Sequence, residues 1–255
     1  MLLAVNNLRV TYRVPGHKPV EAVKGVSFQL DAGQALGIVG ESGCGKSSLA
    51  KAVIGLLAPA AGEILVDGKP QTGRHPRDIQ MVFQDAAGSL NPRMTIRQAL
   101  EEVLRVHRMV KPGETEARIG ELLDLVGLPG KVLGAYPREI SGGQCQRVSF
   151  ARCLALKPRI LLADEPVSAL DVSVQARILN LMRTLQRELN LGVLLISHDL
   201  AVVRTICDRV CVMHGGEFVE TGKTDKVLEA PEHPYTRTLL AAVPDVGRAL
   251  AGPTV

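Results

Sequence analysis

Eight consecutive residues, Gly40-Glu41-Ser42-Gly43-Cys44-Gly45-Lys46-Ser47, restrict this chain more than any other part of it. They fit G-x-x-x-x-G-K-[ST] at every fixed position, follow the apolar run 35–39 and lead into residues 47–57, whose apolar positions recur at helical spacing. A strand, a glycine turn and a helix in that order are built to hold phosphate. Glycines let backbone N–H groups curl around phosphate oxygens without steric cost, and the helix N-terminus adds a positive end. In such a loop Lys46 reaches the β- and γ-phosphates and the Ser47 hydroxyl ligates Mg²⁺. The plainer alternative, a glycine-rich loop carrying a surface lysine, is weakened by the strand before it and the helix after it.

A second stretch is acidic. In Ile160-Leu161-Leu162-Ala163-Asp164-Glu165-Pro166 four apolar residues precede two carboxylates. A buried strand of this kind delivers both acids at its C-terminal end, where open α/β sheets bind ligands. Taken alone, Asp-Glu-Pro begins a turn just as readily. Behind a phosphate loop, Asp164 becomes a candidate for Mg²⁺, directly or through water, and Glu165 for the base that acts on attacking water. His198 follows the apolar run 193–196. A lone histidine at a strand end is more often structural than catalytic. If its strand lies beside the one carrying Asp164, however, the imidazole comes near a γ-phosphate.

The rest of the chain reads as strand and helix in turn. Residues 2–12 and 20–30 are expected strands around a turn at Pro15-Gly16, with Val26, Phe28 and Leu30 alternating toward one buried face. Further strands are expected at 35–39, 64–66, 79–83, 160–163, 193–197 and 209–214, and helices at 47–57, 172–189 and 201–207. Residues 91–157 differ, with amphipathic helical patterns at 95–108 and 114–126. Alternating strands and helices imply a mostly parallel sheet, into which that helical block is inserted.

Composition serves mainly to exclude. The 255 residues are 46% hydrophobic, enough for a sizeable core, and at 22% charged they show no sign of disorder. The net charge of +4 comes from scattered lysines and arginines; Trp is absent and aromatics are 3%, so no nucleic-acid partner is expected. No run approaches the roughly 18 apolar residues of a spanning helix, and the start lacks the pattern of a signal peptide. The cysteines Cys44, Cys145, Cys153, Cys207 and Cys211 form no CxxC pair and no zinc spacing, which suits a reduced, cytoplasmic protein.

Ile140-Ser141-Gly142-Gly143-Gln144 resembles the signature sequence of ABC ATPases. Ser141 is also a plausible helix N-cap, and the two roles are compatible. The resemblance covers residues 2–244 with the motifs in order. Gln84 resembles the Q-loop glutamine, which links Mg²⁺ and water to the membrane-subunit contact. Ser168-Ala169-Leu170-Asp171 resembles the D-loop, and His198 stands at the switch-histidine position. Tyr12 resembles the aromatic that stacks on adenine, although on its own it serves equally well as a packing residue.

The resemblance implies an α/β fold: a P-loop NTPase core with a mostly parallel sheet (1–90 and 158–230), an N-terminal antiparallel β subdomain, an inserted α-helical signature subdomain (91–157) and a short extension (231–255). It implies ATP and Mg²⁺ as cofactors, with residues 40–48 and Tyr12 holding one nucleotide. Ser141, Gly142, Gly143, Gln144 and Asp171 would meet the nucleotide of a partner in a head-to-tail dimer. Ser47, Gln84 and Asp164 are implied around the metal, with Glu165, His198, Lys46 and Gln84 in hydrolysis.

Ser89-Leu90-Asn91-Pro92-Arg93-Met94-Thr95 and Pro231-Glu232-His233-Pro234-Tyr235-Thr236 narrow the resemblance to the peptide/nickel importer subfamily. The second stretch also reads simply as a Pro-bounded helix start, with Thr236 and Leu239 packing. The subfamily implies a second, usually different, ATPase subunit, two transmembrane permease subunits, an indirect solute-binding partner, a place on the cytoplasmic face of the membrane, and a peptide, nickel or metal-chelate cargo. Asp85-Ala86-Ala87-Gly88 departs from the subfamily, which has a proline and an aromatic there. No cysteine follows Pro244, so an iron–sulfur tail is not expected. Cys145 is either a reactive thiol or a packed one. The chief alternative is an ABC ATPase acting on ribosomes or DNA, a class usually marked by tandem domains or coiled-coil arms. A further alternative, an inactive nucleotide module, sits poorly with Lys46, Asp164, Glu165 and His198 together.

Overall fold

The computed structural model describes residues 1–13, 15–71, 77–168 and 170–242. In chain order these form β1 (Leu3–Tyr12), β2 (Val20–Leu30), β3 (Ala35–Val39), α1 (Lys46–Val53), β4 (Ala61–Val66), β5 (Lys69–Pro70) and β6 (Ile79–Val82). Then come α2 (Ile96–Val106), α3 (Thr115–Val126), α4 (Gly142–Ala155), β7 (Ile160–Asp164), α5 (Val172–Glu188), β8 (Gly192–Ser197), α6 (Leu200–Ile206), β9 (Arg209–His214), β10 (Glu217–Lys223), α7 (Thr224–Glu229) and α8 (Pro234–Ala241). The chain divides into two compact units: the residues up to 71 with those from 194 onward, and the residues from 77 to 193.

In the first unit, β1, β2, β4 and β5 make an antiparallel sheet in the order β2-β1-β4-β5. One face of β2 is buried through Val23, Val26, Phe28 and Leu30, and the register slips where β1 passes from Val5 to Leu8 and Arg9. The alternation read from the sequence therefore holds only in the second half of the strand, on the far side of this irregularity. β3 pairs in parallel with β9, and β9 pairs antiparallel with β10. β3 is buried at every residue, as expected for a strand covered on both faces. The helix expected at 47–57 stops at Val53, because Gly55 adopts φ +77° and the Leu56 N–H turns back to the Lys51 carbonyl at 2.8 Å. That is a glycine stop of the Schellman kind. The sequence pattern does not mark β10, α7 or α8 as elements, apart from the helix start at Pro234.

In the second unit, β6 pairs in parallel with β7, Ile79 opposite Ile160 and Val82 opposite Ala163. The helices α2 and α3 occupy the two predicted amphipathic stretches. Thr95 caps α2 through a reciprocal pair with Gln98, and Gly127 at φ +61° ends α3. Helix α4 is buried on most sides, with Cys145, Val148, Phe150, Ala151, Cys153 and Leu154 all inside. Its interior character explains why no clean amphipathic stripe marks it in sequence. All five cysteines are free and buried, and burial lifts the Cys145 thiol above its ordinary value while its Sγ donates to the Pro137 carbonyl at 3.5 Å. Cys145 is thus the packed alternative. Among the described residues no helix is long and apolar enough to cross a membrane.

Candidate active site

The phosphate loop belongs to the first unit. β3 delivers the chain to Gly40, and α1 begins at Lys46. Side chains at positions 40 and 45 would strike the carbonyl oxygens of Met213 and Ala22, and Gly45 sits at φ +112°, so glycine is required at both. Lys46 is only 6% exposed. Its ammonium donates to the Gly40 carbonyl at 2.6 Å and the Glu41 carbonyl at 2.8 Å, with Cys44 Sγ at 3.8 Å. A buried cation of this kind must be satisfied by acceptors, and here the loop itself supplies them. Ser42, Gly43 and Ser47 are exposed, and the hydroxyls of Tyr12 and Ser48 share a hydrogen bond of 3.1 Å. Tyr12 is 37% exposed, with its hydroxyl held at the loop by Ser48. His198 is exposed at the end of β8, where Asp199 caps α6 by accepting from the N–H groups of Ala201 and Val202.

The acidic pair belongs to the second unit. Asp164 closes β7 and Glu165 follows at φ +47°, a left-handed conformation uncommon for a residue with a side chain. Gln84, just after β6, donates from its amide nitrogen to Glu165 Oε2 at 3.0 Å and lies 3.4 Å from Ser168 Oγ. The Ser168 hydroxyl donates back to the Glu165 carbonyl at 3.1 Å. Three motifs read separately in the sequence thus meet at one residue, Gln84 at its carboxylate and Ser168 at its backbone carbonyl. Asp171 precedes α5 without a side-chain cap, and Gln175 ties the loop by donating to the carbonyls of Val167 and Leu170. Ala169, within the predicted D-loop, lies outside the described residues.

Ser141 caps α4: its hydroxyl accepts the Gln144 N–H at 3.3 Å while the Gln144 side chain accepts the Ser141 N–H at 2.9 Å. Ser141 and Gly142 remain exposed. A shallow concavity of about 250 Å³ opens there, rimmed by Ser141, Gly143, Gln144, Arg147 and Arg177. A helix start with two guanidinium groups beside it suits a multiply charged anion. Separately, Asp85 folds the segment that follows Gln84 into a tight turn. Its carboxylate accepts the Gly88 N–H at 2.8 Å, and a side chain at 88 would strike that carboxylate. We expect Gly88→Ala to lower stability by about 1–2 kcal/mol through the lost hydrogen bond and crowding, read as a shifted urea midpoint at unchanged slope. An unchanged midpoint would mean the turn tolerates a methyl group.

Residues 23–168 match the sequence profile of the family described as "ABC transporter". The chain belongs to the ABC transporter family. Residues 219–253 also match "Oligopeptide/dipeptide transporter, C-terminal region". The chain is similar to the "Oligopeptide transport ATP-binding protein OppF" of Haemophilus influenzae, 45% identical over 96% of this chain and 78% of that protein. It is also similar to the "Oligopeptide transport ATP-binding protein AppF" of Bacillus subtilis, 49% identical over 88% of this chain and 71% of the relative. A similar solved structure is the "dimeric structure of a post-hydrolysis state of the ATP-binding cassette MJ0796 bound to ADP and Pi", with a TM-score of 0.76 and 30% identity over 88% of this chain and 99% of that one.

As an ABC ATPase the protein binds ATP and hydrolyses it. The donor set fits that ligand and its metal. The loop offers backbone N–H groups and an ammonium to phosphate. In the first unit the exposed Ser47 hydroxyl, and separately in the second unit the Asp164 carboxylate, are each hard oxygen donors of the type Mg²⁺ takes. Among the described residues no group of three or more His, Cys, Asp or Glu could hold a metal by itself. The sequence assigns Arg147 and Arg177 no role at a site, and it marks Tyr235 only as part of the stretch 231–236, not as a neighbour of the phosphate loop. The arginines carry no motif of their own. Arg147 doubles as a cap on α3, donating to the Val126 carbonyl at 2.7 Å.

Proposed function

We propose that the chain is the ATP-hydrolysing subunit of an oligopeptide importer, peripheral to the cytoplasmic face of the membrane. The observation that carries this reading is that one chain combines the ABC match with the oligopeptide/dipeptide transporter C-terminal region. The named relatives are oligopeptide transport proteins, which favours peptide cargo over nickel or metal chelates, and transport over action on ribosomes or DNA. In this proposal the working unit holds a second ATPase subunit, commonly a different chain, two permease subunits, and indirectly a solute-binding protein.

Each residue has a chemical task in the proposed reaction. Tyr12 stacks on adenine. Residues 40–48 wrap the phosphates, and Lys46 transfers its hydrogen bonds from the Gly40 and Glu41 carbonyls to β- and γ-phosphate oxygens. Ser47, Asp164 and Gln84 would hold Mg²⁺, which when bound would offset charge on those oxygens. Glu165 accepts a proton from the water that attacks the γ-phosphorus in line, and ADP leaves. His198 donates to the γ-phosphate and offsets charge as it develops. Ser141, Gly142, Gly143, Gln144 and Asp171 serve the nucleotide of the partner subunit. The domain plan follows the same reading: a nucleotide core, a helical signature subdomain over 91–157 and a C-terminal extension from 231.

The permease contact is assigned to an open groove of the second unit, about 610 Å³, lined by Phe83, Asp85, Gly88, Ser89, His107 and Arg152 among others. Phe83 is 39% exposed there, and Arg152 donates to the Ser89 carbonyl at 2.8 Å. Gln84 is adjacent to this groove in sequence and hydrogen-bonded to Glu165, which gives a physical route from a docked partner to the base.

Affinity purification of the tagged chain from its own cells is the direct test. Recovery of permease subunits, with ATP turnover that rises when peptide and binding protein are added, supports importer function; recovery of ribosomes instead would end it. For the adenine contact, Tyr12→Ala is expected to weaken ATP binding by ~1 to 3 kcal/mol, measured by calorimetry. Unchanged affinity would return Tyr12 to a packing role.

A further inference from the structure

The C-terminal helix reaches the phosphate loop through a chain of contacts that all lie in the first unit. The Glu220 carboxylate, on β10, accepts the N–H of Glu232 at 2.9 Å and the N–H of His233 at 3.0 Å. Burial alone would raise this carboxyl, but the donors at its oxygens outweigh burial and hold it below the usual carboxylate range. It is therefore anionic at neutral pH and keeps both bonds. They fix the start of α8, where His233 Nδ1 accepts the Tyr235 N–H at 3.2 Å and Pro234 sets the first helical φ.

Tyr235 then leans on β9. Its ring lies 4.0 Å from the His214 imidazole, centroid to centroid, at 37°. Its hydroxyl accepts the N–H of Glu41 at 3.1 Å. The carbonyl of that same Glu41 accepts from Lys46 Nζ at 2.8 Å. Glu41 is thus gripped at its N–H by the C-terminal helix and at its carbonyl by the phosphate-binding lysine. The β9–β10 turn adds a third hold, the Gly216 N–H donating to the Cys44 carbonyl at 3.0 Å.

We propose that Tyr235 is a positioning residue for ATP: α8, anchored by Glu220, holds the phosphate loop through the Glu41 peptide and so sets nucleotide affinity. The physical reason lies in what Lys46 must do. To reach phosphate, its ammonium leaves the Gly40 and Glu41 oxygens. A loop held only by that lysine would relax when it departs. A loop also held by Tyr235 keeps its shape, and its remaining N–H groups stay aimed at the phosphates, so less ordering cost falls on binding. The inference rests on reading residues 40–47 as the ATP cradle; ATP binding by the parent chain tests that reading separately.

The test uses Tyr235→Phe, which keeps the ring on His214 and removes only the hydroxyl, and Glu220→Gln, which weakens the anchor of α8 from a distance. ATP dissociation constants are measured by calorimetry on the full chain, and ATPase kinetics on the assembled transporter. We expect Tyr235→Phe to raise both the ATP Kd and KM by about three- to tenfold, the range of one lost hydrogen bond, with kcat within about twofold of the parent and an unchanged thermal midpoint. Glu220→Gln should move Kd in the same direction by less. A Tyr235→Phe chain that binds ATP as the parent does overturns the proposal, as does a loss confined to kcat or one explained by a fallen midpoint. If the parent itself fails to bind ATP, the cradle reading falls first and the proposal with it.

Discussion

Glu165→Gln should leave ATP binding intact, reduce hydrolysis by a factor of about 10² to 10⁴, and trap the ATP-bound dimer closed. The substitution is close to isosteric, and the new amide oxygen can still accept from Gln84 Nε2, so the hydrogen bond of 3.0 Å seen at this carboxylate has a replacement. What is lost is a group able to take the proton from the attacking water. Sedimentation with ATP and the partner subunit would register the closed dimer, and phosphate release would register the rate. Hydrolysis at the parent rate would remove Glu165 from the role of base.

Lys46→Met is the second large effect, and it falls on binding. Its ammonium is nearly buried and makes hydrogen bonds of 2.6 and 2.8 Å to the loop's own carbonyls, so the side chain is already desolvated before nucleotide arrives. The cost of desolvating the cation has been met in folding, so its bonds to phosphate are set against the two carbonyl bonds they replace rather than against bonds to water. Hydrogen bonds to charged groups contribute about 1.5–3 kcal/mol each, so the net loss of one of them should weaken MgATP binding by roughly 10- to 150-fold. Two carbonyls lose their donor, so a modest fall in the thermal midpoint should accompany the change. An ATP Kd within about threefold of the parent would show that the backbone N–H groups alone carry the phosphates.

The parts of the site legible in the sequence were those written in consecutive residues. The loop from Gly40 to Ser47 encodes its own conformation: glycines where a side chain meets the carbonyls of Ala22 or Met213, and a helix start at Lys46. The Ser141 cap was legible for the same reason, since a capping box spans four residues. Contacts between distant residues were not. Tyr235 touches Glu41 across 194 positions, and nothing around either residue announces the other. Gln84 and Glu165 were each singled out, but their direct bond depends on β6 and β7 pairing in parallel, a register that apolar runs buried on both faces leave unspecified. β10 escaped notice because most of its residues are only half-buried and its pattern Glu-Phe-Val-Glu-Thr-Gly-Lys mixes charge with a glycine. Helix α4, buried nearly all round, has no polar face for periodicity to detect, so the Ser141 cap and the helical run 147–156 behind it are what mark it in the sequence.

The left-handed backbone at Glu165 has a consequence for anyone evolving this protein toward heat resistance. A residue bearing a side chain in that region carries strain of order 1 kcal/mol, and Gly or Asn there would relieve part of it. Random libraries sorted only by survival at high temperature should therefore enrich substitutions at this codon, and the survivors would be sturdy, ATP-loaded and idle. Selection for durability in this fold needs a counter-screen for turnover, because the position proposed to hold the base is also one where sequence change is rewarded by firmness.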